Sequence, residues 1–166
     1  MSETFTPDPR GPRPAGVSAI LATVMTTVGF FALAVFGLGA LTVATDADLI
    51  DVPGLGQAPG VVGMLFAIAV FAGVLWAAVR IRHPRFRSVG AIAIATALVH
   101  LLAVGATALI VAGEVIAALS VMGGLVTGGA SLVILAAAAI AGWAGVALRR
   151  TRAERPKWPW EREDEE

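Results

Sequence analysis

Residues 17–44 read VSAILATVMTTVGFFALAVFGLGALTVA, a stretch of 28 residues without a charged side chain. An α-helix of about 20 apolar residues crosses the roughly 30 Å hydrocarbon layer of a bilayer, so this stretch is long enough to span it. The apolar region of a secretory signal peptide is only about 7–15 residues long. The stretch therefore predicts a membrane anchor that is retained in the mature protein.

Three further uncharged stretches follow, and they predict spans at residues 60–79, 88–113 and 125–148. The apolar residues 113–124 are ambiguous, and we interpret them as an extension of the third helix that ends in a turn at Gly123-Gly124. Residues 1–16 contain four prolines and predict a disordered lead-in. Residues 149–166 form a polar tail.

The composition supports a membrane protein. Hydrophobic residues make up 57% of the chain and charged residues only 14%, whereas soluble domains carry about 25% charged residues. So few charges leave too little polar surface to cover a soluble fold. The predicted fold class is all-α: an antiparallel bundle of four transmembrane helices with short loops.

The charges predict the orientation of the bundle. All twelve Lys and Arg residues lie in the N-terminal segment, the loop between the second and third spans, or the tail. The other two loops have none, so the positive-inside rule places both termini in the cytoplasm and the protein in the plasma membrane. Trp76 and Trp143 lie within a turn or two of the cytoplasmic arginines, as interfacial anchors do.

His100 is the one ionisable residue deep inside a predicted span, about twelve residues into the third helix. Thr96, Thr107 and Glu114 fall with it inside an arc of about 80° on one helix face. One interpretation is a neutral histidine that bonds a neighbouring helix, with threonines that bond their own backbone. The other is a proton or ligand site on a path towards Glu114, although about 21 Å of helix separates the two residues.

Small residues indicate where helices approach closely. Gly124 and Gly128 form a GxxxG motif, and Ala141 and Gly145 repeat the spacing nearer the predicted cytoplasmic side. Packing within the chain and homodimerisation are both open, with the first favoured. A group of threonines on the first span predicts interhelical hydrogen bonds rather than a binding site. These are Thr23, Thr26 and Thr27.

The tail combines basic residues with two tryptophans, Trp158 and Trp160, on either side of Pro159. Basic residues just inside a membrane attract anionic lipid headgroups at about 1 kcal/mol each. We therefore predict membrane anchoring by the tail, with a docking motif for a cytosolic partner as the alternative. The residues expected to contact anionic headgroups are Arg80, Arg82, Arg85, Arg87, Arg149, Arg150 and Arg152.

Motifs for catalysis or cofactor binding are missing from the sequence. The chain has no cysteine, no phosphate-binding loop and no GxSxG or HExxH motif. Asp46, Asp48 and Asp51 lack the glycine and distal glutamate of a calcium loop, so a solvated loop is favoured over a weak cation site. We predict a protein that is not an enzyme and has no cofactor, no metal and no nucleic-acid partner.

The tail sequence RPKWPWE at residues 155–161, the arginine-rich middle loop and the length of the chain together carry a resemblance. The chain resembles the short, alanine-rich four-span membrane proteins of unknown function encoded in actinobacteria. The resemblance covers the whole chain as architecture and implies no catalytic or binding residues. Small multidrug exporters have a similar size, but they depend on a glutamate in the first span, where this chain has no acid.

Two functional hypotheses follow. The first is a non-enzymatic accessory, scaffold or regulatory component of a membrane assembly, working through lateral helix contacts with another membrane protein or a second copy and through its tail. The alternative is a small transporter or channel-like protein that uses the polar face around His100.

Overall fold

The computed structural model describes residues 17–46, 56–81 and 85–150, and its regular structure there is α-helical throughout. No strand is present in these residues, so the all-α prediction is confirmed. The five helices are α1 (Ala19–Thr45), α2 (Ala58–Val79), α3 (Ser88–Ala112), α4 (Val115–Thr127) and α5 (Ala130–Arg150).

Four of these helices, α1, α2, α3 and α5, are apolar and long enough to cross a membrane. The shortest is α5 with 21 residues, which corresponds to about 32 Å at 1.5 Å per residue. The first three start and end within two residues of the predicted spans, whereas α5 begins at Ala130 and not near Leu125. The fifth helix, α4, has 13 residues.

Local signals explain where the helices begin and end. The Ser18 hydroxyl accepts a hydrogen bond from the Leu21 amide at 3.1 Å and caps the start of α1. Asp46 ends α1 in the left-handed region at φ 49°, which is tolerated by aspartate better than by most residues. Pro59 lies in the first turn of α2, where its missing N–H costs nothing.

The prediction for residues 113–124 was wrong. They do not extend α3, because Gly113 adopts φ 71° and its amide donates to the Leu109 carbonyl, which closes the helix. The expected turn at Gly123-Gly124 is also absent, since α4 continues to Thr127 and the chain turns at Gly129 with φ 88°.

Packing against α3 explains why α4 forms a helix although it contains glycines. Met122 fits against α3 at Gly105, where a Cβ atom would overlap its sulfur. Val121 and Leu125 join the buried cluster that contains Val104. These tertiary contacts stabilise a helix that glycine's weak propensity would not form alone.

The main core lies between α1, α2, α3 and α5. Within this core the rings of Phe30 and Phe71 stack with centroids 4.6 Å apart. Leu75, Ile92 and Ile134 belong to the same cluster, and all five side chains are fully buried. Large apolar side chains therefore form the core of the described helices, and many other large apolar residues are exposed.

Candidate functional site

The third helix places Thr96 and His100 one turn apart on its buried side. The Thr96 hydroxyl donates to the Ile92 carbonyl at 2.8 Å. His100 is 4% exposed and packs against α2, because a Cβ atom built on Gly63 would lie 3.4 Å from the His100 Cδ2 atom. The His100 Nδ1 atom has no hydrogen-bond partner among the described residues.

The predicted polar face does not continue outward from His100. The Thr107 hydroxyl donates to the Ala103 carbonyl of its own helix at 2.8 Å. Glu114 lies beyond the end of α3, exposed and with extended backbone at φ −125° and ψ 126°. The expectation that Glu114 shares a helix face with His100 was wrong, because α3 closes at Gly113 before reaching it.

Replacing His100 by leucine is expected to leave the free energy of unfolding within about 1 kcal/mol of the natural protein. The substitution removes a buried polar group without a described partner and keeps an apolar side chain of similar size, which is close to neutral. Chemical unfolding in detergent micelles measures the change, and Thr96→Val is the matched control on the same face. A loss of several kcal/mol for His100→Leu alone would show that the imidazole makes a hydrogen bond that stabilises the fold.

The two pairs of small residues lie in different environments. Ala141 and Gly145 are buried, and a Cβ atom on Gly145 would lie 3.1 Å from Leu75 Cδ1 and 3.2 Å from Thr26 Oγ1. These residues let α5 approach α1 and α2 closely. Gly124 and Gly128 are exposed, and no side chain from another helix lies within 4 Å of a Cβ atom built on either.

The threonines of α1 mostly bond their own helix. The Thr23 hydroxyl donates to the Ala19 carbonyl at 2.8 Å, and the Thr26 hydroxyl donates to the Ala22 carbonyl at 2.7 Å. The Thr27 hydroxyl is buried without a partner among the described residues. The structure therefore shows no interhelical hydrogen bond from Thr23 or Thr26.

Arg149 joins three segments at one end of the molecule. Its Nε–H donates to the carbonyl of Val79, the last residue of α2, at 3.0 Å. Its Nη1–H donates to the carbonyl of Val17, just before α1, at 2.7 Å. The start of α1 and the final residues of α2 and α5 therefore meet here, and we call this the Arg149 end.

Aromatic contacts bring the start of α3 to the same end. The Phe86 ring stacks on Trp143 of α5 with centroids 6.4 Å apart, and the Arg150 guanidinium lies 4.9 Å from the Phe86 ring centroid. Directly after α2, the Arg80 guanidinium lies 5.0 Å from the Trp76 ring centroid. Such cation–π pairs contribute about 0.5–1 kcal/mol each when exposed. Both predicted interfacial tryptophans in the described residues are at this end and partly exposed.

Sequence reasoning missed the internal role of Arg149. It treated every arginine in this region as a headgroup contact, and nothing in the sequence indicates which guanidinium turns inward to backbone carbonyls. The contact between the turn before α3 and α5 could have been predicted from Phe86. An aromatic residue between Arg85 and Arg87 in a polar turn indicates an apolar contact nearby.

Among the residues that the structure describes, no group of three or more His, Asp or Glu side chains could hold a metal ion. Several predicted site residues lie outside those residues, and their roles remain predictions. These are Asp48, Asp51, Arg82, Arg152, Trp158 and Trp160.

Comparison with known proteins places the chain at the level of a family. Residues 15–166 match a model described as "Family of unknown function (DUF6121)". No curated protein and no solved structure matches the chain. The match agrees with the predicted resemblance to proteins of unknown function, while an actinobacterial origin remains a prediction.

Proposed function

We propose a function from the geometry of the chain itself, because the chain belongs to the DUF6121 family, whose function is unknown. We infer a multi-pass protein of the plasma membrane whose four long helices form an antiparallel bundle with both termini in the cytoplasm. Its role is that of a non-enzymatic accessory, scaffold or regulatory component of a membrane assembly.

The membrane placement is supported by the outward faces of the helices. Large apolar side chains such as Phe36, Val43 and Ile110 are 77%, 85% and 81% exposed. Exposure of so many apolar groups to water would be unfavourable in free energy, whereas lipid solvates them. The Arg149 end supports the orientation, because it gathers cations from α2, α5 and the turn before α3 on one side of the helices.

A labelling experiment tests the orientation. The chain has no natural cysteine, so single cysteines can be introduced without background. A membrane-impermeant maleimide added to intact cells is expected to label Thr45→Cys, which lies at the end of α1 away from Val17, and to leave Thr151→Cys unlabelled until the cells are permeabilised. The reverse pattern would refute the proposed orientation.

The observation that carries the functional proposal is the apolar core shared by the four long helices. Phe30, Phe71, Leu75, Ile92 and Ile134 are fully buried in one cluster to which each of these helices contributes, and the threonine hydroxyls on the polar face of α3 bond their own helix. This arrangement favours work at the outer surfaces over passage of a solute through the middle. Partners of such a protein contact it sideways in the lipid or through its tail.

Affinity purification from native membranes followed by mass spectrometry tests this role. A partner is expected to co-purify in a fixed ratio with the natural chain and to be lost with Gly124→Leu, which enlarges the exposed GxxxG face of α4. Gly73→Leu is the matched control, because Gly73 also has open space around it. Recovery of a lone monomer, or equal recovery of the same proteins with both variants, would contradict lateral association through α4.

One observation favours the transporter alternative. The Nδ1 atom of His100 is buried near the middle of α3 without a hydrogen-bond partner among the described residues, as expected for a group that takes up a proton or a ligand. Flux into proteoliposomes that disappears with His100→Leu and persists with Thr96→Val would support transport. Equal flux with the natural protein and with His100→Leu would show that His100 has no role in transport.

A further inference from the structure

A depression lies between α2 and the turn that leads into α3. Its volume is about 810 Å³, and it is lined by Ala78, Ile81, Arg85, Arg87 and Ser88. This volume falls within the range of about 300–1,000 Å³ that is typical of ligand sites. Two side chains of the lining are apolar and two are cationic, so the depression suits a ligand that has an anionic group next to an apolar part.

The two arginines are held in position by the residue between them. Phe86 turns to α5, where it stacks on Trp143 and lies beneath the Arg150 guanidinium. The turn itself is closed by hydrogen bonds from the Ser88 amide and hydroxyl to the Arg85 carbonyl at 3.1 and 2.7 Å. Phe86 thus ties the turn to α5, while Arg85 and Arg87 line the depression.

No carboxylate of the described residues neutralises these arginines. The described residues contain two acids, Asp46 and Glu114, and both lie at the ends of α1 and α3 that are distant from the Arg149 end. Two guanidinium groups with no acidic partner among the described residues create a positive potential at the mouth of the depression. Guanidinium groups bind phosphate oxygens through paired hydrogen bonds and do so better than ammonium groups.

We propose that this depression is a specific site for one anionic phospholipid, in which Arg85 and Arg87 bind the phosphate of the headgroup while Ala78 and Ile81 contact the glycerol and the first acyl carbons. A lipid fits better than a soluble phosphate because the depression has an apolar wall and Ile81 is 60% exposed on it. The site is distinct from a general attraction of anionic lipids to every arginine of this end. It rests on the proposed membrane placement and not on the accessory role, so failure to find a partner protein would leave it untouched.

Lipid titration of the full-length protein tests the site. Purified protein in a neutral detergent is titrated with phosphatidylglycerol and, separately, with phosphatidylcholine, and the first bound lipid is followed by native mass spectrometry. One phosphatidylglycerol molecule is expected to bind per protein molecule, at a lower lipid concentration than phosphatidylcholine needs. The double variant Arg85→Gln, Arg87→Gln is expected to weaken this first binding about tenfold or more, since it removes two charge-assisted contacts.

The matched control is the double variant Arg80→Gln, Arg155→Gln. It removes two charges on the same proposed side of the membrane and keeps Trp143 and Arg150, the two contacts of Phe86, so the affinity for the first lipid should change by no more than about threefold. Equal weakening in both double variants would show diffuse electrostatic attraction and overturn the site. Thermal unfolding of each variant confirms that the comparison is made on folded protein.

Two further outcomes bear on the occupant of the depression. Complete displacement of phosphatidylglycerol by millimolar inorganic phosphate would indicate a soluble anion and would overturn the lipid site. A rise of tenfold or more in lipid affinity, after the acidic residues of the tail are changed to amides, would show that the lipid binds the depression in competition with the tail and would support the site. The residues changed would be Glu154, Glu161, Glu163, Asp164, Glu165 and Glu166.

Discussion

Replacing Gly63 by valine is expected to destabilise the protein by about 3 kcal/mol, at the upper end of the cost of overpacking a core. A Cβ atom at this position would overlap Val104 Cγ2 and lie 3.4 Å from both the carbonyl oxygen and the Cδ2 atom of His100. Val104 is fully buried, and a β-branched side chain has few alternative rotamers in a helix. The added methyl groups can therefore be accommodated only if α2 and α3 move apart.

Gly73→Val is the control for this prediction. It lies on the same helix and carries the same change in side chain and helix propensity, yet a Cβ atom at Gly73 meets nothing within 4 Å. The free energy of unfolding, measured by titration with a denaturing detergent and followed by tryptophan fluorescence, should change by no more than about 0.5 kcal/mol. Similar losses for the two variants would mean that α2 and α3 do not approach closely at Gly63.

Replacing Arg149 by leucine is expected to cost about 2–3 kcal/mol of stability. The substitution removes two charge-assisted hydrogen bonds, to the carbonyl oxygens of Val79 and Val17, and each such bond contributes about 1.5–3 kcal/mol. The loss is below the sum of the two because these carbonyls lie near helix ends and can accept from water instead. Arg149→Lys should lose about half as much, since one ammonium group does not reproduce the geometry of two guanidinium donors.

The neighbouring residue supplies the control. Arg150→Leu removes the same charge one position later, but Arg150 is exposed and contributes a cation–π contact with Phe86 of about 0.5–1 kcal/mol. Hydrogen exchange of the Leu21 and Ala22 amides gives a local measurement, because Arg149→Leu frees the start of α1 and should raise their exchange rates. Unchanged exchange there, with equal stability of both leucine variants, would contradict the role given to Arg149.

The long helices could be predicted from the sequence because the positions of apolar and charged residues along the chain are enough to locate them. A charge cannot remain in the hydrocarbon layer, so the arginines after Val79 and before Ser88 mark helix ends almost to the residue. The residues at which α4 begins and ends were harder to predict from the sequence. Gly113, Gly124 and Gly129 are the same residue type, and only packing against α3 decides which of them lies inside a helix and which ends one.

The candidate site was predicted less well than the fold for a related reason. The arc that groups His100 with Glu114 assumes one uninterrupted helix, and α3 closes at Gly113. The inward turn of Arg149 depends on carbonyl groups supplied by two distant parts of the chain, which no local pattern records. Residue type predicted that His100 would be buried near the middle of a helix, but the missing partner of Nδ1 is visible only in three dimensions.

The hydrogen bond from Arg149 to Val17 connects residues that are 132 positions apart. In the membrane placement that we propose, α1 would enter the bilayer long before the ribosome has made the residue that bonds its start. Until Arg149 is made, α1 would be retained in the lipid by its apolar length alone. A chain that stops short of Arg149 would lack the hydrogen bond that joins the end of α5 to the start of α1.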